Sequence, residues 1–137
     1  MRQILDSCRV LPDGDTVVLV LRGDLDLLVE EPLRQVLTDA CDQHRNVLLD
    51  LGDVRLIDST GLGLLVRAHQ AVKRNDGVVC LVAPSRFIQA VLHTMRLDPV
   101  FPIFQDLDAA LHSVRKWDAP RSPATGEAGD RSALGRA

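Results

Sequence analysis

The sequence predicts an α/β fold, a small sandwich in which a mixed, mainly parallel sheet of about five strands is covered by four helices. Two observations carry this. Short apolar runs rich in β-branched residues alternate with stretches whose apolar residues recur at spacings of three and four, and the alternation repeats as β-α-β units. With 46% apolar residues in a length of 137, the chain can also bury a core as a single unit.

The elements follow in order. Residues 2–11 (RQILDSCRVL) and 15–23 (DTVVLVLRG) flank Pro12-Asp13-Gly14, a turn sequence, and predict a β-hairpin that adds antiparallel pairing. Residues 24–44 then change period: Leu33, Val36, Leu37, Ala40 and Cys41 share one helical face, and Glu30, Glu31 and Pro32 stand near the helix start. NVLLDLG, residues 46–52, is too continuously apolar for a half-exposed strand, so it is expected at the centre of the sheet with both faces covered. A second helix carries Leu62, Leu65, Val66, His69 and Val72 and stops at Asn75-Asp76-Gly77. VVCLVA (78–83) is a further buried strand, and Pro84 and Ser85 open a third helix bearing Phe87, Ile88, Val91, Leu92 and Met95. VFPIF (100–104) is a short strand that Pro102 assigns to an edge or end, and DLDAALHSVRKW (106–117) closes the fold as a helix.

Residues 118–137 switch to Pro, Gly, Ser, Ala and charges, a composition that buries too little surface to offset the entropy of ordering. The expected organisation is one domain over 1–117 and a disordered tail over 118–137.

Composition excludes several functions. A net charge of −3, with three Phe, one Trp and no Tyr, gives neither the basic footprint nor the stacking surfaces of a nucleic-acid binder. No apolar run approaches the roughly 18–20 residues of a membrane span, and MRQILDSCRV lacks the apolar middle of a signal peptide, so a cytoplasmic location is expected. Cys8, Cys41 and Cys80 are far apart without partnering histidine spacing, which predicts buried free thiols and no metal site.

The informative stretch is Asp58-Ser59-Thr60-Gly61-Leu62-Gly63, between the central strand and the second helix. A serine there is expected to cap the helix, its oxygen accepting from a free N–H two or three residues on. Gly61 and Gly63 each cost about 1 kcal/mol relative to alanine inside a helix, so close helix–strand packing or close approach of a partner must compensate. A phosphoryl group on an exposed hydroxyl at this place would carry about −1.5 to −2 charges toward free N–H groups and the positive end of the helix dipole. The fold could hold it, whereas a protein docked over Ser59 would meet a new dianion beside Asp58 and Asp26.

Enzymatic readings fit less well. Asp-Ser-Thr-Gly is not the Gly-x-Ser-x-Gly of a nucleophile elbow, and His44, His69, His93 and His112 fall in or at the ends of helices with none placed as a base. Val66 stands where a dinucleotide loop needs its third glycine. Asp24, Asp26, Asp50, Asp53 and Asp58 are expected to cap backbone or face water rather than form a paired-carboxylate or metal site.

Three stretches, GDLDLLVEEPL, VLLDLGDVRLIDSTGLGLLVRAHQAVK and CLVAPSRFIQAVLHTMRLDPVFPIFQDLDAAL, together resemble the STAS domain of bacterial anti-sigma factor antagonists over about residues 2–116. The resemblance implies a STAS-like sandwich and a partner switch. An unphosphorylated antagonist binds an anti-sigma factor that is a serine kinase of the histidine-kinase-like ATPase type, releasing a sigma factor. Phosphorylation at the serine after the motif's aspartate, here Ser59, ends the binding until a serine phosphatase reverses it. The chain is then ligand and substrate, not catalyst, and ATP belongs to the kinase. By the same resemblance Gly23, Asp24 and Asp26 match a Gly-[Glu/Asp]-Leu-Asp loop beside the serine, and Asp58, Thr60, Gly61, Leu62 and Gly63 match the turn; all are expected at the partner surface. Where the family often has small residues before proline, this chain has LLVEEP, which is expected to bring Leu27, Leu28 and two glutamates to that surface. The family also contains non-phosphorylated interaction modules, in stress-signalling scaffolds or as transport accessory subunits; in that case Ser59 is a cap and the helix face around Leu62 a constitutive docking surface.

Overall fold

A computed structural model describes residues 4–118, in which β1 (Leu5–Val10), β2 (Thr16–Leu25), β3 (Asn46–Ile57), β4 (Val78–Val82) and β5 (Ile103–Phe104) form one sheet in the order β1-β2-β3-β4-β5. Only β1–β2 is antiparallel; the other neighbours are parallel. The connections are the helices α1 (Glu30–Gln43), α2 (Ser59–Lys73) and α3 (Arg86–Thr94), and α4 (Leu107–Asp118) follows β5. A single 3-10 turn, Leu27–Val29, precedes α1.

Successive strands that step across a sheet in sequence order, each return being right-handed, must carry their helices on one face. Accordingly Val17, Leu19, Val47, Leu49, Val79 and Leu81 point toward a core shared with Leu33, Leu37, Leu65, Ile88 and Leu92 of α1–α3. The alternate strand positions Val18, Leu48, Cys80 and Val82 pack on Ala110 and Val114 of α4, which covers the opposite face. β3, apolar on both sides, is the middle strand, as its composition predicts.

Several expectations shift. β3 does not end at Gly52 but runs on to Ile57 beside a β2 that reaches Leu25. Register shifts at Val20/Arg22 and Gly23/Leu25 absorb extra β3 residues around Leu51-Gly52 and around Arg55-Leu56, and Gly23, between them, takes φ +86, a conformation that favours glycine. Gly23 and Asp24 are therefore strand residues at the end of β2, not loop residues. Helix α4 includes Asp118, one residue past the expected boundary, and the expected disordered tail otherwise lies outside the described residues. Cys41 and Cys80 are buried, and desolvation raises their thiols to about 11, with help from Asp42, and to about 12 respectively. Cys8 is exposed instead, because β1 is an edge strand whose burial fades along its length.

Candidate functional site

Parallel strands deliver their C-terminal ends to one edge of the sheet, and there the end of β2, the 3-10 turn and the start of α2 meet. Their junction is organised by Asp58. Its backbone is extended (φ −105, ψ −175), its Oδ1 accepts from the Gly61 N–H at 3.0 Å, and its carbonyl accepts from Leu62 N at 2.9 Å. Asp58, not Ser59, is thus the cap of α2, and Ser59 is the first helical residue. Both side chains are good caps; a carboxylate at the positive helix end gains charge–dipole energy that a hydroxyl does not.

The second carboxylate oxygen reaches across the chain. Asp58 Oδ2 accepts from Leu27 N at 3.1 Å, while Asp58 N donates to Leu25 O at 3.1 Å. Asp26 caps the same 3-10 turn through Oδ1 and Leu28 N, also 3.1 Å. One aspartate therefore clasps the two segments that the sequence singles out, and places the Asp26 turn against the helix mouth. Replacing Asp58 with alanine orphans the N–H groups of both Gly61 and Leu27, for an expected loss of about 2 kcal/mol in urea unfolding. Faster amide hydrogen exchange at Leu27 would accompany it, which loss of the α2 cap alone does not produce.

Capping falls to Asp58, and Ser59 is exposed to solvent. Thr60 is half-buried. The two glycines separate in role. A Cβ on Gly61 would lie 2.4 Å from Leu25 O and 2.9 Å from Ile57 Cγ1, so this glycine lets α2 sit against the ends of β2 and β3. Gly63 is exposed, meets nothing within 4 Å, and lies one helical turn beyond Ser59 on the same face. Leu62 is only 7% exposed and belongs to the main core, so it anchors α2 to the sheet. The same spacing that puts Leu62 and Leu65 together turns them both inward, so neither side chain is offered to solvent.

Apolar surface appears elsewhere, on Leu27 and Leu28, which are 63% and 80% exposed beside the clasp. Asp24 is mostly covered and its Oδ2 meets the exposed Arg55 guanidinium at 3.4 Å, a pairing no local pattern announces because the residues belong to different strands. Of the remaining candidates, Asp50 Oδ1 accepts from Gly52 N, His44 Nδ1 contacts Gly14 O, and His93 pairs with Asp98. His69 stacks edge-on against Phe101, and burial, followed by Lys73, lowers its pKa. Among the described residues no group of three or more His, Cys, Asp or Glu side chains is placed to hold a metal ion. Among them, too, no helix is long and apolar enough to cross a membrane.

A five-stranded sheet with three helices on one face, a fourth helix on the other, and an Asp-Ser-Thr-Gly turn at a strand–helix junction define a class. The chain belongs to the STAS-domain family, whose model matches residues 9–110. Among individual proteins it is similar to one from Thermotoga maritima named as an anti-sigma factor antagonist, with 30% identity over 73 residues, or 53% of this chain. The match spans 65% of that relative's length. The anti-sigma-F factor antagonist RsfB of Mycobacterium tuberculosis is 28% identical over 109 residues, 77% of this chain and 87% of that protein. A crystal structure of a Thermotoga maritima protein of the same description superposes with a TM-score of 0.74 at 24% identity, covering 80% of this chain and 93% of that one, and shows a common fold.

Proposed function

We propose that this chain is an anti-sigma factor antagonist of the cytoplasm. It binds an anti-sigma factor that is a serine kinase of the histidine-kinase-like ATPase type, frees a sigma factor, and is released when Ser59 is phosphorylated; a serine phosphatase resets it. The chain is ligand and substrate, not an enzyme, and holds no cofactor of its own.

The observation that carries this reading is the division of labour at the turn. Asp58 closes the helix, and the neighbouring Ser59 is an exposed residue that is not the cap its modification would disturb. Similarity to proteins named as anti-sigma factor antagonists supports the partner class.

The test is phosphate transfer from ATP by each purified histidine-kinase-like serine kinase of the same genome, with the site mapped by mass. Wild type is expected to gain one phosphate on Ser59. Ser59→Ala is expected to gain none, to bind the kinase still, and to unfold in urea within about 0.5 kcal/mol of wild type, because an exposed non-capping residue is replaced. Equal labelling of Ser59→Ala and wild type would overturn the assignment.

A further inference from the structure

Leu27 and Leu28 present the largest adjacent pair of exposed apolar side chains beside the Ser59 turn. Leaving two leucines in water forgoes burial that the fold could have used, and the turn that carries them is unusually well secured. The N–H of Leu27 is held by Asp58 Oδ2 and that of Leu28 by Asp26 Oδ1. Val29, the next residue, is 1% exposed and pinned in the core. Carboxylates from two elements and a buried valine thus fix a three-residue turn with two leucines facing outward. A turn so fixed gives up little further entropy when its side chains are covered, the condition under which exposed apolar groups make effective anchors.

We infer that Leu27 and Leu28 form the apolar anchor by which the chain selects its protein partner, entering an apolar pocket whose rim is basic. The inference rests on the reading of Ser59 given above and extends it to partner choice. Continuity dictates the first part: Leu27 is bonded to Asp58 and Asp58 adjoins Ser59, so a protein that covers Ser59 covers this turn as well. Charge dictates the second. Asp26 precedes the leucines and Asp58 is bonded to the first of them, and they are followed by Glu30 and Glu31, which share Arg34 at 2.9 and 3.7 Å. The balance around the anchor is negative. An anionic membrane is repelled by it, and a second copy meeting it across a two-fold axis would set carboxylates against carboxylates. A pocket with Lys or Arg at its margin complements it.

Titration calorimetry of the full chain against the same purified kinases, without ATP, tests this. Leu27→Ser/Leu28→Ser is expected to weaken binding about a hundredfold while its melting temperature stays that of wild type, since both side chains are already in water. Leu27→Met/Leu28→Met, apolar and of similar volume, is expected within about threefold of wild type. Glu31→Lys is expected to raise Kd several-fold at low salt and to lose that effect at high salt. If wild type binds a kinase and the double serine variant binds it equally well, the anchor is overturned and the partner-switch reading stands. If wild type binds none of them, both fall. A wild-type dimer in sedimentation that the double serine variant abolishes would assign the leucines to a second copy and overturn the inference.

Discussion

Gly61→Ala is expected to destabilise the fold by about 2–3 kcal/mol in urea unfolding, although alanine is the better helix former by about 1 kcal/mol. The added methyl would lie 2.4 Å from Leu25 O, a backbone atom that cannot rotate aside, and 2.9 Å from Ile57 Cγ1. Relief requires α2 to lift from the end of β2. That motion pulls Asp58 N away from Leu25 O, and with it the carboxylate from Leu27 N. The stability loss should therefore come with loosening of the Leu27–Val29 turn, and with weaker binding by any partner that recognises it. Gly63→Ala supplies the contrast, because its Cβ meets nothing within 4 Å. There the helix-propensity gain stands alone, for an expected stabilisation of about 0.5–1 kcal/mol. Two glycines two residues apart should thus move stability in opposite directions, a result that composition alone does not anticipate.

What the sequence discloses and what it conceals divide along the range of the interactions involved. Elements fixed by local periodicity are readable: β3 is apolar on both faces and central, α3 is capped by Ser85, whose Oγ accepts from Ile88 N, and the Asn75-Asp76-Gly77 stop ends α2 with Gly77 N bonded to Val72 O. Features set by residues distant in the chain are not. Gly52 and Asp53 resemble a strand terminus, yet pairing with β2 carries the strand past them. Asp58 and Ser59 are equally credible caps by type. The choice falls to Asp58, whose second oxygen can accept from Leu27 N, 31 residues away. Leu62 belongs to a motif that resemblance associates with partners, but its helical phase turns it into the core. The exposure of Cys8 follows from strand order, which places β1 at an edge. The site was legible as a serine in a glycine-containing turn; the clasp that organises it needed three dimensions.

Phosphorylation of Ser59 is expected to weaken binding to the proposed kinase partner by about a hundredfold or more, with Ser59→Asp reproducing about a tenfold part of it. The magnitudes follow from charge and size. At the first position of α2 a phosphoryl group brings about −1.5 to −2 charges and three oxygens, against one carboxylate charge for aspartate. Either group stands next to Asp58, whose oxygens are both engaged and which cannot turn away without releasing Gly61 N or Leu27 N. A partner surface fitted to a neutral hydroxyl beside one carboxylate must then accommodate added volume and at least twice the negative charge. The fold itself should hardly respond: attraction to the helix N-terminus, about 0.3–1 kcal/mol, opposes repulsion from Asp58. Urea midpoints of wild type, phosphorylated protein and Ser59→Asp are accordingly expected to agree closely while their affinities separate. Salt resolves the contributions. Raising ionic strength to about 0.5 M shortens the screening length to roughly 4 Å and should recover part of the Ser59→Asp deficit, because that deficit is largely electrostatic. The deficit of Leu27→Ser/Leu28→Ser should persist, because it is not. Phosphorylated protein that binds as tightly as wild type would remove charge as the basis of the switch, leaving the anchoring leucines as determinants of a constitutive contact.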